Sequence, residues 1–148
     1  MPAPYRFRYR DGGPAIDVEP QRQVVTVGGK RNEKVTLTVH VDGKRTGMIG
    51  VYLVEPSTGR GYVDDLDTKG KGYDKLEGIG ALLVYLMARE MSAVESHDVR
   101  IPLPAPPMKG FYLHMGFEEQ HGTHELKGEA ADVYERSRSS AFARLEPG

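Results

Sequence analysis

From Gly78 to Met91 the chain reads Gly-Ile-Gly-Ala-Leu-Leu-Val-Tyr-Leu-Met-Ala-Arg-Glu-Met, apolar almost all round in its first turns. The segment is too long for a buried strand, and its Leu, Met and Ala favour a helix. A helix with so little polar face is buried on more than one side. The remaining residues must therefore fold around it, and they supply mostly strands.

Upstream, the sequence is a meander. Tyr5 to Arg10 alternates aromatic and arginine, which as a strand puts three aromatics on one face and three guanidiniums on the other. The expectation is an edge strand with its aromatics in the core and its arginines in water. Nucleic-acid binding is disfavoured, because such sites offer aromatics and cations on one surface. Val24 to Val27 ends at Gly28-Gly29, and Val35, Leu37, Val39 and Val41 alternate with polar residues up to Asp42-Gly43, so two hairpins follow. Met48 to Val54 is a return strand, and Tyr62 to Asp67 is the next. Beyond the helix, Val99, Ile101 and Leu103 alternate as a strand carrying Pro102. That proline requires an edge or a divergence from the neighbouring strand. Pro106-Pro107-Met108 opens a short helix ending near Gly116, Phe117 to Lys127 forms a last hairpin, and a closing helix runs from about Glu129. The whole is an α+β (mixed α/β) chain.

The 148 residues fit one domain, 1–148, with 1–23 as an N-terminal extension or edge strand and 129–148 as a C-terminal helix. The absence of cysteine excludes disulfides, thiolate zinc sites and a cysteine nucleophile. Twenty Lys and Arg against 21 Asp and Glu give a net charge of -1, which argues against a polyanion or nucleic-acid partner. No apolar run approaches the roughly 20 residues of a membrane helix, and the first residues lack a signal core. A soluble, cytoplasmic protein with no membrane partner is expected.

The segment Lys69 to Gly80 carries glycines and three lysines, Lys69, Lys71 and Lys75, between a strand and the buried helix. Glycine backbone and a helix start make an anion site. It is neither a dinucleotide fingerprint, lacking the third glycine, nor a P-loop, lacking Gly-Lys-Ser/Thr. Downstream stands Phe111-Tyr112-Leu113-His114-Met115-Gly116-Phe117. His114, two residues from Tyr112, points about 200° away on a helix and is not expected in the site. His121 and His124, with Glu119 and Glu125 nearby, lack a third ligand of fixed spacing, so no metal is expected.

In these two segments the sequence resembles the GNAT superfamily, the Gcn5-related N-acetyltransferases. Lys75-Leu76-Glu77-Gly78-Ile79-Gly80 is similar to that family's Arg/Gln-x-x-Gly-x-Gly/Ala pyrophosphate loop, with lysine for Arg/Gln. Tyr112 and Gly116-Phe117 fit its later Tyr and Gly-Phe spacing. The resemblance spans roughly Val35 to Lys127. It implies a GNAT-like three-layer fold, with a central, mostly antiparallel mixed sheet that has a splayed strand pair and is flanked by helices.

The resemblance also implies acetyl-CoA as acyl donor, bound by the backbone of Gly78, Ile79, Gly80 and Ala81 with Lys75 flanking, and its pantetheine arm along Leu66 to Thr68. Tyr112 would be the acid for the leaving thiolate, and Asp64 or Asp65 the base. The two carboxylates are expected on opposite faces of their strand, leaving one toward the acceptor. Glu55, Asp64, Asp65 and Asp67 would favour a cationic amine, small molecule or protein. The family's helices ahead of Val35 are missing here, which implies an acceptor side that is open unless the first twenty-odd residues or a second chain supply the wall. The rival reading is a non-catalytic acyl-CoA-binding module whose closing helix, with Arg136, Arg138 and Arg144, serves a partner or homodimer contact.

Overall fold

The computed structural model describes residues 5–68, 77–93, 98–102, 104 and 106–148. Its strands are β1 (Tyr5–Tyr9), β2 (Ala15–Val27), β3 (Lys30–Val41), β4 (Lys44–Glu55), β5 (Arg60–Asp67), β6 (Asp98–Ile101), β7 (Glu118–Glu119), β8 (Leu126–Glu129) and β9 (Leu145–Pro147). Its helices are α1 (Ile79–Ala93), α2 (Lys109–His114) and α3 (Ala130–Phe142), with a 3₁₀ turn at Pro106–Met108 leading into α2. The nine strands form one mixed sheet in the order β7-β8-β6-β5-β4-β3-β2-β1-β9, flanked by the three helices. Among the described pairs only β5 and β6 run parallel, joined across α1.

The two long hairpins are set by their turns. Gly28 and Gly29 have φ of 56° and 77°, and Asp42 and Gly43 have 49° and 79°. Two successive residues at positive φ make a turn whose twist matches that of the flanking strands. Asp42 Oδ1 also accepts the Ala15 N–H at 3.0 Å, tying the second turn to β2.

Alternation then decides the faces. Ile16, Val18, Val35, Leu37, Val39, Val41, Tyr52 and Val63 are buried with α1, whose Leu82, Leu83, Leu86, Met87 and Met91 are almost fully enclosed. Enclosing one such side chain is worth about 1.5–3 kcal/mol. Helix α1 lies close on β4 and β5 because Gly50 and Gly61 are there: a Cβ on Gly50 would come within 2.5 Å of Met87 Cε, and one on Gly61 would collide with the Met91 sulfur. Helix α3 covers α1, with the Tyr85 ring tilted against Tyr134 and edge-on to Phe142 at ring separations of 5.3 and 5.2 Å. At the far end of α1, Glu90 accepts a hydrogen bond from the Tyr5 hydroxyl at 2.6 Å and pairs with Arg22 at 2.7 Å.

The terminal segments differ from the sequence expectation. Strand β1 is not an edge, because β9 pairs outside it with Tyr9 opposite Leu145. Its aromatics do face the core and its arginines do face water; Arg8 and Arg10 pair with Glu146 of β9. The described part of 1–23, residues 5–23, is no appended extension, since β1 and β2 place it in the sheet. The closing helix stops at Phe142, and the last residues return as a strand. No helix among the described residues is long and apolar enough to cross a membrane.

Candidate functional site

Among the described residues, strands β5 and β6 are paired only at Gly61 with Val99 and at Tyr62 with Arg100. From Val63 to Leu66, β5 keeps β4 on one side and, among the described residues, has lost β6 on the other. Strand β6 itself ends at Ile101, followed by Pro102, which has no N–H to offer a ladder. The divergence opens a cleft of about 550 Å³, within the range of small-molecule sites. Leu66, Asp64 and Asp65 line it from β5, Pro102 from the end of β6, and Tyr112 from α2.

A bulge in β5 corrects the expectation for the two carboxylates. Val51 pairs with Asp65 and Tyr52 with Val63, so Asp64 is the extra residue between them. Simple alternation fails at a bulge. Asp64 and Asp65 are both exposed, and both line the cleft.

Tyr112 is 4% exposed, its ring held between Phe111 and Phe117 at 5.5 and 5.7 Å. Its hydroxyl has no hydrogen-bond partner among the described residues. Burial, reinforced by the negative charge of Asp65, pushes its pKa up to about 12. The hydroxyl is therefore a neutral donor at ordinary pH, on a side chain that lines the cleft together with Asp65. Gly116, four residues on, closes α2 with φ of 104°, a conformation that side chains disfavour. This turn delivers Phe117 into the core, 2% exposed. His114 is exposed, away from the cleft.

The start of α1 lies beyond the end of β5. The first intrahelical bond runs from Leu82 N–H to the Gly78 carbonyl at 2.9 Å, so the N–H groups of Ile79, Gly80 and Ala81 precede the helix ladder. The Ile79 and Ala81 side chains are buried, which leaves only their backbone for a ligand. Thr68 does not line the cleft; its methyl would lie 3.7 Å from a Cβ on Gly80, and the Phe111 ring 3.2 Å from it. Arg144 braces this end through Glu77 at 2.7 Å, and the Tyr9 hydroxyl donates to the Glu77 carbonyl. Lys75, with Lys69 and Lys71, lies outside the described residues.

Sequence reasoning missed the hairpin end of β2 and β3. Val27, Lys30 and Asn32 line the same cleft with Leu53, Glu55 and Tyr62. The register carries them there: Glu33 is opposite Val54, which sets Asn32 beside Glu55, and the Asp42-Gly43 turn with the shift between Thr38 and His40 sets that β3–β4 register. Glu55 is held below the usual carboxylate range by hydrogen bonds from Lys30 and Ser57, at 3.2 and 3.1 Å. No group of three or more metal-ligating side chains occurs among the described residues, His121 and His124 included.

No family model and no curated protein matches the chain. Among solved structures it is similar to nourseothricin acetyltransferase, with a TM-score of 0.54 and 14% identity over 85% of this chain and 98% of that one. A Klebsiella pneumoniae subsp. pneumoniae MGH 78578 protein, provisionally named an acyl-CoA N-acyltransferase, aligns over 65% of this chain and 70% of its own, with a TM-score of 0.47 and 13% identity. The fold is of the GNAT type.

Proposed function

We propose that the chain is an acyl-CoA-dependent N-acyltransferase that moves an acetyl group from acetyl-CoA to a primary amine by direct attack. The observation that carries this reading is the cleft between the diverging β5 and β6, lined by Asp64, Asp65 and Tyr112, whose hydroxyl has no hydrogen-bond partner among the described residues. Acetyl-CoA supplies the activated acyl thioester. Its extended arm suits the β5 edge from Val63 to Leu66, whose backbone has no β6 partner among the described residues. Its diphosphate suits the N–H groups of Ile79, Gly80 and Ala81 at the positive end of α1.

The acceptor enters as an ammonium with a pKa near ~10 and must lose a proton before attack. Asp64 and Asp65 hold the cation and take that proton through water. The amine nitrogen then bonds to the thioester carbon, and a β5 N–H steadies the charge growing on the thioester oxygen. The carbon–sulfur bond breaks, Tyr112 gives its proton to the departing sulfur and regains one from solvent, and the nitrogen's second proton leaves to solvent through the carboxylates. The balance is ammonium plus thioester to amide, thiol and one proton.

Thermal-shift titration with acetyl-CoA, followed by thiol release over a panel of amines, tests the reading. Stabilisation with release on at least one amine is expected. Stabilisation without release on any amine would leave the rival binding module, and no stabilisation would remove both.

A further inference from the structure

The cleft is polar at both ends and apolar between them. At one end stand Asp64, Asp65 and Tyr112; at the other stand Glu55, Asn32 and Lys30. Leu53 and Tyr62, paired across β4 and β5, lie between. Val51 is opposite Asp65, and Glu55 is on the same face of β4 four residues further on. At about 3.3 Å per residue the two ends are roughly 13 Å apart. The charged lining residues are three carboxylates and one ammonium, so the cleft is negative.

The far end already holds a cation. Lys30 Nζ is 3.2 Å from Glu55 Oε1, but the lysine side chain is 65% exposed and that of Glu55 only 10%. The ammonium is free to swing into water, whereas the carboxylate stays. Asn32 is 6% exposed, and its Nδ2 donates to the Lys30 carbonyl. Its Oδ1 has no partner among the described residues, which adds a second acceptor beside Glu55.

We propose that the acceptor is an elongated α,ω-diamine or aliphatic polyamine. One ammonium displaces Lys30 from Glu55 and Asn32, the methylene chain lies on Leu53 and Tyr62, and the other nitrogen is presented to Asp64 and Asp65. This rests on the acyltransfer reading above and names its acceptor. Acylation removes the charge at the reacting end, so the product is held by the distal end alone and leaves more readily than the substrate.

The test follows thiol release from acetyl-CoA by the full chain with octylamine, octamethylenediamine and ω-aminooctanoate. We expect kcat/KM for the diamine to exceed that for octylamine by roughly tenfold, mainly through KM, because a charge-assisted hydrogen bond is worth about that factor. The amino acid should be poorest. Glu55→Gln should bring the diamine-to-monoamine ratio close to one, while Lys30→Met, which removes the competing ammonium, should raise it. The opposed directions guard against a folding defect in either variant. A wild-type ratio near one, a preference for the amino acid, or a ratio unmoved by both substitutions overturns the diamine assignment while acyltransfer stands. Absence of release with every amine overturns the acyltransfer reading and this proposal with it.

Discussion

Tyr112 combines two roles. Its ring fills the space between Phe111 and Phe117, and its hydroxyl, with a pKa raised to about 12 by burial and Asp65, stays protonated in the cleft. Because the ring alone does the packing, Tyr112→Phe is expected to fold as the wild type and to bind acetyl-CoA with nearly unchanged affinity. Its kcat should fall by about a hundredfold or more, the usual contribution of a positioned acid. Steady-state kinetics beside a thermal-shift titration with acetyl-CoA separates the two; equal kcat would remove the hydroxyl from the reaction. Tyr112 and Gly116-Phe117 were legible in the sequence because the turn at φ of 104° fixes their spacing. The joint placement of Asp64 and Asp65 was not, since a bulge depends on the partner strand and leaves no mark on local alternation.

Among the elements, α1 and the two long hairpins were readable for local reasons: an apolar helical run, and turn residues that tolerate positive φ. Strand β9 was not, because Leu145-Glu146-Pro147 is too short to show a period and forms only by pairing with β1. The unpaired part of β5 was half legible. Pro102 required an edge or a divergence, and the structure shows divergence, with β6 an inner strand between β5 and β8. The cleft therefore depends on how β5 is held from its other sides, by β4 and by α1. Gly61 lies at the last stretch of β5–β6 pairing, with Met91 of α1 directly over it. Gly61→Ala should cost about 1–3 kcal/mol through overpacking against that side chain. Combining it with Met91→Val, which shortens the obstructing chain, should cost less than the sum of the two single changes. Chemical denaturation of the four proteins checks this, and strict additivity would mean that the two residues do not meet.

At the scale of the whole molecule, the sheet gathers tyrosines from distant parts of the chain into one apolar interior. Tyr5 and Tyr9 come from β1, Tyr52 from β4, Tyr85 from α1 and Tyr112 from α2. Burial is the largest cause of a raised pKa in all five, and for Tyr9 and Tyr112 the value reaches about 12 against an ordinary 10.0. The folded chain therefore keeps protons that the unfolded chain releases above pH 10. Since the folded state binds more protons there, stability falls as pH rises. The contribution is fully present below about pH 10 and is lost progressively toward pH 12. The melting temperature should thus be lower near pH 11 than near pH 8. Lysine deprotonation acts over the same interval, so the comparison needs a variant lacking only the phenols. Tyr9→Phe combined with Tyr112→Phe should lose fewer degrees between the two pH values than the wild type, although it begins lower through loss of the Tyr9 bond to the Glu77 carbonyl. Tyrosinate absorbance, titrated on the folded wild type, should show a fraction of phenols ionising only as the protein unfolds. A titration in which every phenol ionises near its ordinary pKa while the fold persists would mean that these rings are open to water and that the packing of α1, α2 and β1 on the sheet is wrong.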